Sequence, residues 1–155
     1  MFHELIKIKM DEWYQSDDCK IKSVIDAGAY NGDTVREGMR YFPSLSTAIA
    51  VEPDPKTYKR LLKFAATVTD INLVTVNAAV FDRVGDGEFL SSGNRNSSVN
   101  STASHEHRAE AVSLVTADSL TPTTDYIKYD VEGAEYEALQ GSAKTIKMFA
   151  PRMLI

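Results

Sequence analysis

The sequence predicts an α/β domain: a mostly parallel sheet with helices on both faces. Three observations lead there. Short apolar runs recur at Val24-Ile25, Thr47 to Glu52, Leu73 to Ala78 and Tyr126 to Asp130. Segments whose apolar residues return at helical spacing follow most of these runs. The first run feeds straight into Gly28 and Gly32, where the backbone can bend tightly and approach a neighbour closely. Strands that alternate with helices pair in parallel, because right-handed crossovers return the chain to the same sheet.

Length and composition narrow the choices. At 155 residues with 43% hydrophobic content, residues 1–155 read as one domain with a sizeable core. It divides into an N-terminal helix within 1–22 and a sheet core over 23–155. The net charge is −5 and no basic stripe is visible, which argues against a nucleic-acid partner. No run approaches ~18 apolar residues, so no membrane span is expected. Glu4, Asp11 and Glu12 do not fit a secretory signal, and the single Cys19 cannot form an internal disulfide. A cytoplasmic protein is the simplest reading. Nothing near Cys19 resembles a base, so it is not read as a nucleophile.

In chain order, Phe2, Leu5, Ile6, Met10 and Trp13 mark a first helix, stopped by Ser16-Asp17-Asp18. Packing is its favoured role; a lid formed by Trp13 or Tyr14 is the alternative. After the glycine turn, Asp33 and Thr34 supply N-cap chemistry, and Val35, Met39 and Phe42 form the buried side of a helix. The second strand ends at Glu52-Pro53-Asp54-Pro55, where Asp54 can cap and Pro55 suits a first turn. Tyr58, Leu61, Leu62 and Ala65 mark the buried face of the helix that follows. Asp82 to Gly87 is turn-like. Glu88-Phe89-Leu90 forms a short strand that can pair antiparallel with Ala111 to Thr116. Between them Ser91 to Ser104 is a polar loop long enough to serve as a substrate cover. The Asn-x-Ser/Thr matches at Asn96 and Asn100 read as chance without a secretory signal. His105 and His107 have no evident third ligand, so no metal is expected. After the fourth strand, Leu139, Ala143, Ile146 and Ala150 outline one helix ended by Pro151, and Arg152 to Ile155 begins a fifth strand.

The loop pattern is Asp-x-Gly-x-x-x-Gly, neither a dinucleotide fingerprint nor a Walker loop. Asp26 at the strand end would repel a phosphate. It suits a ligand carrying an ammonium and a sulfonium, as S-adenosylmethionine does. Glu52 ends the second strand ~20 residues on, where an acid can accept from adjacent ribose hydroxyls. A capping role is the alternative, but Asp54 already fills it. Asn77 and Ala78 end the third strand, where an adenine edge would lie; a plain strand terminus explains them about as well. In a parallel sheet Asp26, Gly28, Glu52, Asn77 and Asp130 all reach one carboxyl edge.

These residues carry a resemblance. The glycine loop, Val-Glu-Pro-Asp after strand two, Asn-Ala-Ala after strand three, and above all Lys128-Tyr-Asp-Val-Glu-Gly-Ala-Glu135 resemble the FkbM-type S-adenosylmethionine-dependent methyltransferases from about Ser23 to Ile155. The resemblance implies a Rossmann-like class I methyltransferase fold, a three-layer αβα sandwich, and transfer of methyl to a hydroxyl of a sugar or small natural product. It implies that Asp26, Gly28, Ala29, Tyr30, Asn31, Gly32 and Thr34 cradle the methionine part of the cofactor. Glu52 would hold the ribose, Asn77 and Ala78 would flank adenine, and Asp130 would face the methyl group. Asp130 and Glu132 are then the candidates for hydroxyl contact or base. Their structural alternatives are a turn cap for Asp130 and a first-turn helix acid for Glu132 and Glu135. Such folds resemble a seven-stranded sheet whose antiparallel hairpin follows strand five. This sequence stops on strand five, so those strands are expected to be missing. The apolar Met153-Leu154-Ile155 edge is then expected to pair with a second copy. Rival expectations are a nicotinamide-dependent oxidoreductase and a non-catalytic cofactor-binding or scaffold domain.

Overall fold

The computed structural model describes residues 20–91, 98–99, 108–121 and 123–155. The expected N-terminal helix, Trp13, Tyr14, Cys19, both histidines of the His105 pair, Asn96, Asn100 and most of the Ser91–Ser104 loop lie outside the described residues. In chain order the elements are β1 (Ser23–Ala27), α1 (Asp33–Tyr41), β2 (Thr47–Val51), α2 (Pro55–Ala65), β3 (Asn72–Val76), β4 (Ala79–Val80) and β5 (Gly85–Ser91). They continue as β6 (Ser98–Val99), β7 (Arg108–Val115), α3 (Ala117–Leu120), β8 (Tyr126–Tyr129), α4 (Glu135–Gln140), α5 (Ala143–Phe149) and β9 (Arg152–Leu154).

The main sheet runs β3-β2-β1-β8-β9, and every neighbouring pair in it is parallel. Strand side chains alternate between its faces. Ile25, Ala27, Ile49, Val51, Ile127 and Tyr129 enter one core together with Ala117 and Ala138 from the helices on that side. Ala48 and Ala50 point the other way, beneath Val35 of α1 and Leu61 of α2. Helices therefore cover both faces, as the alternation predicts.

The glycine turn enters α1 differently from expectation. Gly32, at φ 86°, holds the N-cap position, and the Asp33 carboxylate instead accepts from the Thr34 amide inside the first turn. In α2 the expected cap is present: Asp54 accepts from the Lys56 and Thr57 amides, with Pro55 at the first position. Leu62, expected to be buried, is 44% exposed. The face toward the sheet runs through Thr57 and Leu61, and the next residue lies ~100° further round the helix.

The single C-terminal helix predicted from Leu139 to Ala150 is two helices broken at Gly141-Ser142. The cause is tertiary. A Cβ at Gly141 would run into the Phe81 carbonyl. Ser142 donates to the Ala138 carbonyl at 2.6 Å and accepts from the Tyr129 hydroxyl at 2.7 Å. Asp118 then caps α5 from outside, accepting from the Thr145 amide at 2.8 Å and the Lys144 amide at 3.2 Å. The buried side follows Ala138, Ser142 and Thr145, leaving Ala143 and Ala150 exposed.

A second sheet runs β4-β7-β5-β6. Its central ribbon is the expected antiparallel pair, with Glu88 opposite Ala111. The strand begins at Gly85, earlier than the turn reading allowed, and the parallel pairing of β4 with β7 was not foreseen.

Candidate active site at the carboxyl edge

The strand order reverses beside β1, whose neighbours are β2 on one side and β8 on the other. Ligands of open α/β sheets bind outside the strand ends at such a point. Asp26 of β1 stands in register with Lys128 of β8, so both side chains leave the same face. The Lys128 ammonium lies 3.3 Å from Asp26 Oδ1, 3.3 Å from Asp130 Oδ2 and 3.2 Å from the Gly28 carbonyl oxygen. Asp26 is fully buried, and among the described residues its Oδ2 has no hydrogen-bond partner. Burial pushes the Asp26 carboxyl up to about 6, although Lys128 pulls against it. Burial would lower the Lys128 ammonium, but the attraction of Asp26 and Asp130 prevails and raises it.

The loop after β1 is stitched to the end of β2. The amides of Gly28 and Ala29 both donate to the Val51 carbonyl at 2.9 Å. Gly28 sits at φ 82°, and a Cβ there would collide with the Asp130 carbonyl. A Cβ on Gly32 would strike the Phe64 ring. Between the glycines Tyr30 adopts φ 49°, a conformation that costs a non-glycine residue ~1–3 kcal/mol and is concentrated at ligand sites. The Tyr30 hydroxyl accepts from Arg60 at 3.4 Å. Asn31 Oδ1 is buried and has no hydrogen-bond partner among the described residues.

Glu52 closes the loop from the other side. Its Oε2 accepts from the Tyr30 amide at 2.8 Å and its Oε1 from the Asp54 amide at 3.0 Å. Burial pushes its carboxyl up to about 7 despite those two bonds. Each oxygen keeps a further lone pair for a hydroxyl donor. Asn77 spends its amide donors on the Glu52 carbonyl at 2.8 Å and the Pro53 carbonyl at 3.1 Å. It shapes the backbone that carries Glu52. Ala78 and Ala29 are buried with their side chains in the core, and Thr34 is buried in the first turn of α1.

Among the catalytic candidates, Asp130 follows β8 with its side chain 38% exposed and one oxygen on Lys128. Glu132 is exposed at φ 53°, in the turn before α4 rather than in its first turn. Glu135 does occupy that first turn and accepts from the Gly133 amide. Lys128 opens the Lys-Tyr-Asp-Val-Glu-Gly segment, yet the sequence alone assigned it no role in the site. The signal was there: a lysine between Ile127 and Tyr129 in a buried strand must find partners. A separate cavity of about 430 Å³ lies between α1 and the segment after α2, touching this edge through Phe64.

A mostly parallel sheet with an acid-bearing glycine loop at its switch point defines an open α/β domain. The family model described as Methyltransferase FkbM domain matches residues 26–155, and the chain belongs to that family. In fold it is similar to a crystal structure of a methyltransferase FkbM from Methylobacillus flagellatus, with a TM-score of 0.65 and 15% identity. That match covers 86% of this chain and 32% of the other. A search of curated proteins gave no significant match. Among the described residues no helix is long and apolar enough to cross a membrane, and no cluster of ligating side chains could hold a metal.

Proposed function

We propose that this edge binds S-adenosylmethionine and that the domain transfers its methyl group to a hydroxyl of a small polyhydroxylated acceptor. One observation carries the reading: Asp26 Oδ2, fully buried and without a partner among the described residues, beside a loop bent by Gly28 and Gly32. Leaving such an oxygen unpaired costs ~1–3 kcal/mol, and a donor such as a ligand ammonium removes that cost. Glu52 adds acceptors for vicinal ribose hydroxyls, consistent with an adenosyl compound. Membership of the FkbM family supports the same cofactor.

Held by Asp26, the glycine loop and Glu52, the cofactor would supply an electrophilic methyl carbon when bound. The chain's part is to orient the acceptor and take the hydroxyl proton. Asp130, half-exposed at the mouth of the loop, is the proton acceptor, and Glu132 contacts the acceptor from the following turn. A positioned base adds ~10²–10⁴-fold. The edge strand β9, with Met153 37% exposed and Ile155 just after it 58% exposed, pairs with a second copy in solution. The protein works in the cytoplasm.

The test is calorimetry with S-adenosylmethionine, S-adenosylhomocysteine and NAD in parallel. Binding of the two adenosyl compounds alone is expected. Response to NAD alone, or to none, overturns the reading. Light scattering at high concentration checks the pairing; a monomer counts against it.

A further inference from the structure

The buried lysine at the switch point has no part in methyl transfer as set out above, yet it touches three elements of the site. We infer that Lys128 is a positioning residue: one ammonium, bonded to Asp26 Oδ1, Asp130 Oδ2 and the Gly28 carbonyl, divides the two acids and leaves Asp26 Oδ2 as a buried acceptor without a partner among the described residues. This rests on the cofactor reading. The geometry leaves little freedom. Asp26 and Lys128 are locked opposite each other by strand register, and Asp130 is tied to β1 by its amide, which donates to the Ala27 carbonyl at 2.9 Å. The lysine side chain is 4% exposed, so water cannot substitute for its bonds. Two carboxylates and one ammonium leave one net negative charge, and an arriving cation balances it. Without the lysine, Asp26 and Asp130 would repel each other, and Asp26 would take up a proton.

Among the described residues, the charged and titratable groups facing Asp26 are Lys128 and Tyr126 of β8, Asp130 after it, Asp33 of α1 and Glu52 after β2. Lys128 is the lone cation of this set. Its removal therefore moves the protonation of Asp26 toward higher pH, and cofactor affinity follows.

The experiment titrates wild type, K128M and K128R with S-adenosylhomocysteine by calorimetry, across the pH range in which Asp26 ionises. K128M is expected to lose at least tenfold in affinity at neutral pH and to show the midpoint of its affinity–pH curve shifted upward. K128R recovers part of both. Adding D130N to K128M is expected to cost little more than K128M alone, because Asp130 is already unmoored. Should K128M fail to fold, K128Q, which keeps a donor without the charge, carries the same comparison. Wild-type affinity and an unmoved midpoint in the lysine variant overturn the inference while leaving the cofactor reading standing. A wild-type protein that binds no adenosyl compound sinks both.

Discussion

The two ends of the β1–β8 strand pair are built from the same materials and differ in what they leave open. At the amino end Asp125 Oδ2 accepts from the Lys22 amide, the Ser23 amide and the Ser23 hydroxyl at 2.8, 2.9 and 3.0 Å. Its own amide donates to the Ser23 carbonyl, and its carbonyl accepts from Arg152. At the carboxyl end Asp26 keeps a buried oxygen unpaired among the described residues, and the turns beside it hold Tyr30 and Glu132 in left-handed conformations. The amino end is closed on itself and only stabilises. The carboxyl end retains strain and unmet hydrogen bonds that a ligand can relieve.

The largest break in that contrast is expected at Gly28. Gly28→Ala forces a Cβ against the Asp130 carbonyl in a left-handed conformation. Strain and collision together cost about 3 kcal/mol or more. Cofactor binding should vanish in calorimetry, and the denaturant midpoint should drop sharply.

Exchanging the two acids separates the ends. Asp125→Ala orphans three donors and should cost ~2–3 kcal/mol in denaturant unfolding, with ligand affinity unchanged. Asp26→Asn should do the opposite. Stability at neutral pH stays level or rises, because a buried carboxylate is removed, while affinity for S-adenosylmethionine falls at least tenfold. Equal affinity losses at the two positions would erase the distinction.

A pH series sharpens it further. The folded-state values of Asp26 and Glu52 lie above their ordinary values of 3.8 and 4.5, at about 6 and about 7. Raised carboxyls favour the folded state most when protonated. Their contribution is complete below the ordinary values and is lost as pH rises through 6 and 7. For Asp26 the loss is about 2–3 kcal/mol. Unfolding midpoints measured along that range should fall more steeply for wild type than for Asp26→Asn. A bound ammonium favours the Asp26 carboxylate and donating hydroxyls favour that of Glu52, so binding in the same range should release protons, visible as a buffer-dependent enthalpy.

Much of this was legible beforehand. Asp26, Glu52 and Asp130 could be placed at one edge because a strand end is a fixed address: in a parallel sheet the position after each strand must reach the same edge. The cap at Asp54 and the ribbon of Glu88 with Ala111 follow from local chemistry and alternation. What escaped depends on partners distant in sequence. Gly141 breaks a helix because of the Phe81 carbonyl, and Asp118 restarts it from another element. Asn77 turns its amide to the backbone of the Glu52 loop, which no spacing announces. Lys128 was readable as a charge out of place, but its three acceptors come from three separate segments.

The smallest expected effect lies in the turn after β8. Gly133 also has positive φ, 98°, yet a Cβ there meets nothing within 4 Å. Gly133→Ala should therefore cost ~1–2 kcal/mol, the conformational term without a collision. Its neighbour gives the converse. Glu132 is held at φ 53° with a side chain, so Glu132→Gly should recover up to ~1 kcal/mol if packing alone placed it there. Should Glu132 contact the acceptor, the same variant should lose turnover with cofactor affinity intact. A stabilised variant with full turnover would make that turn a relative of the amino end, shaped by folding alone. A stabilised variant with lost turnover would show strain kept in place for the acceptor.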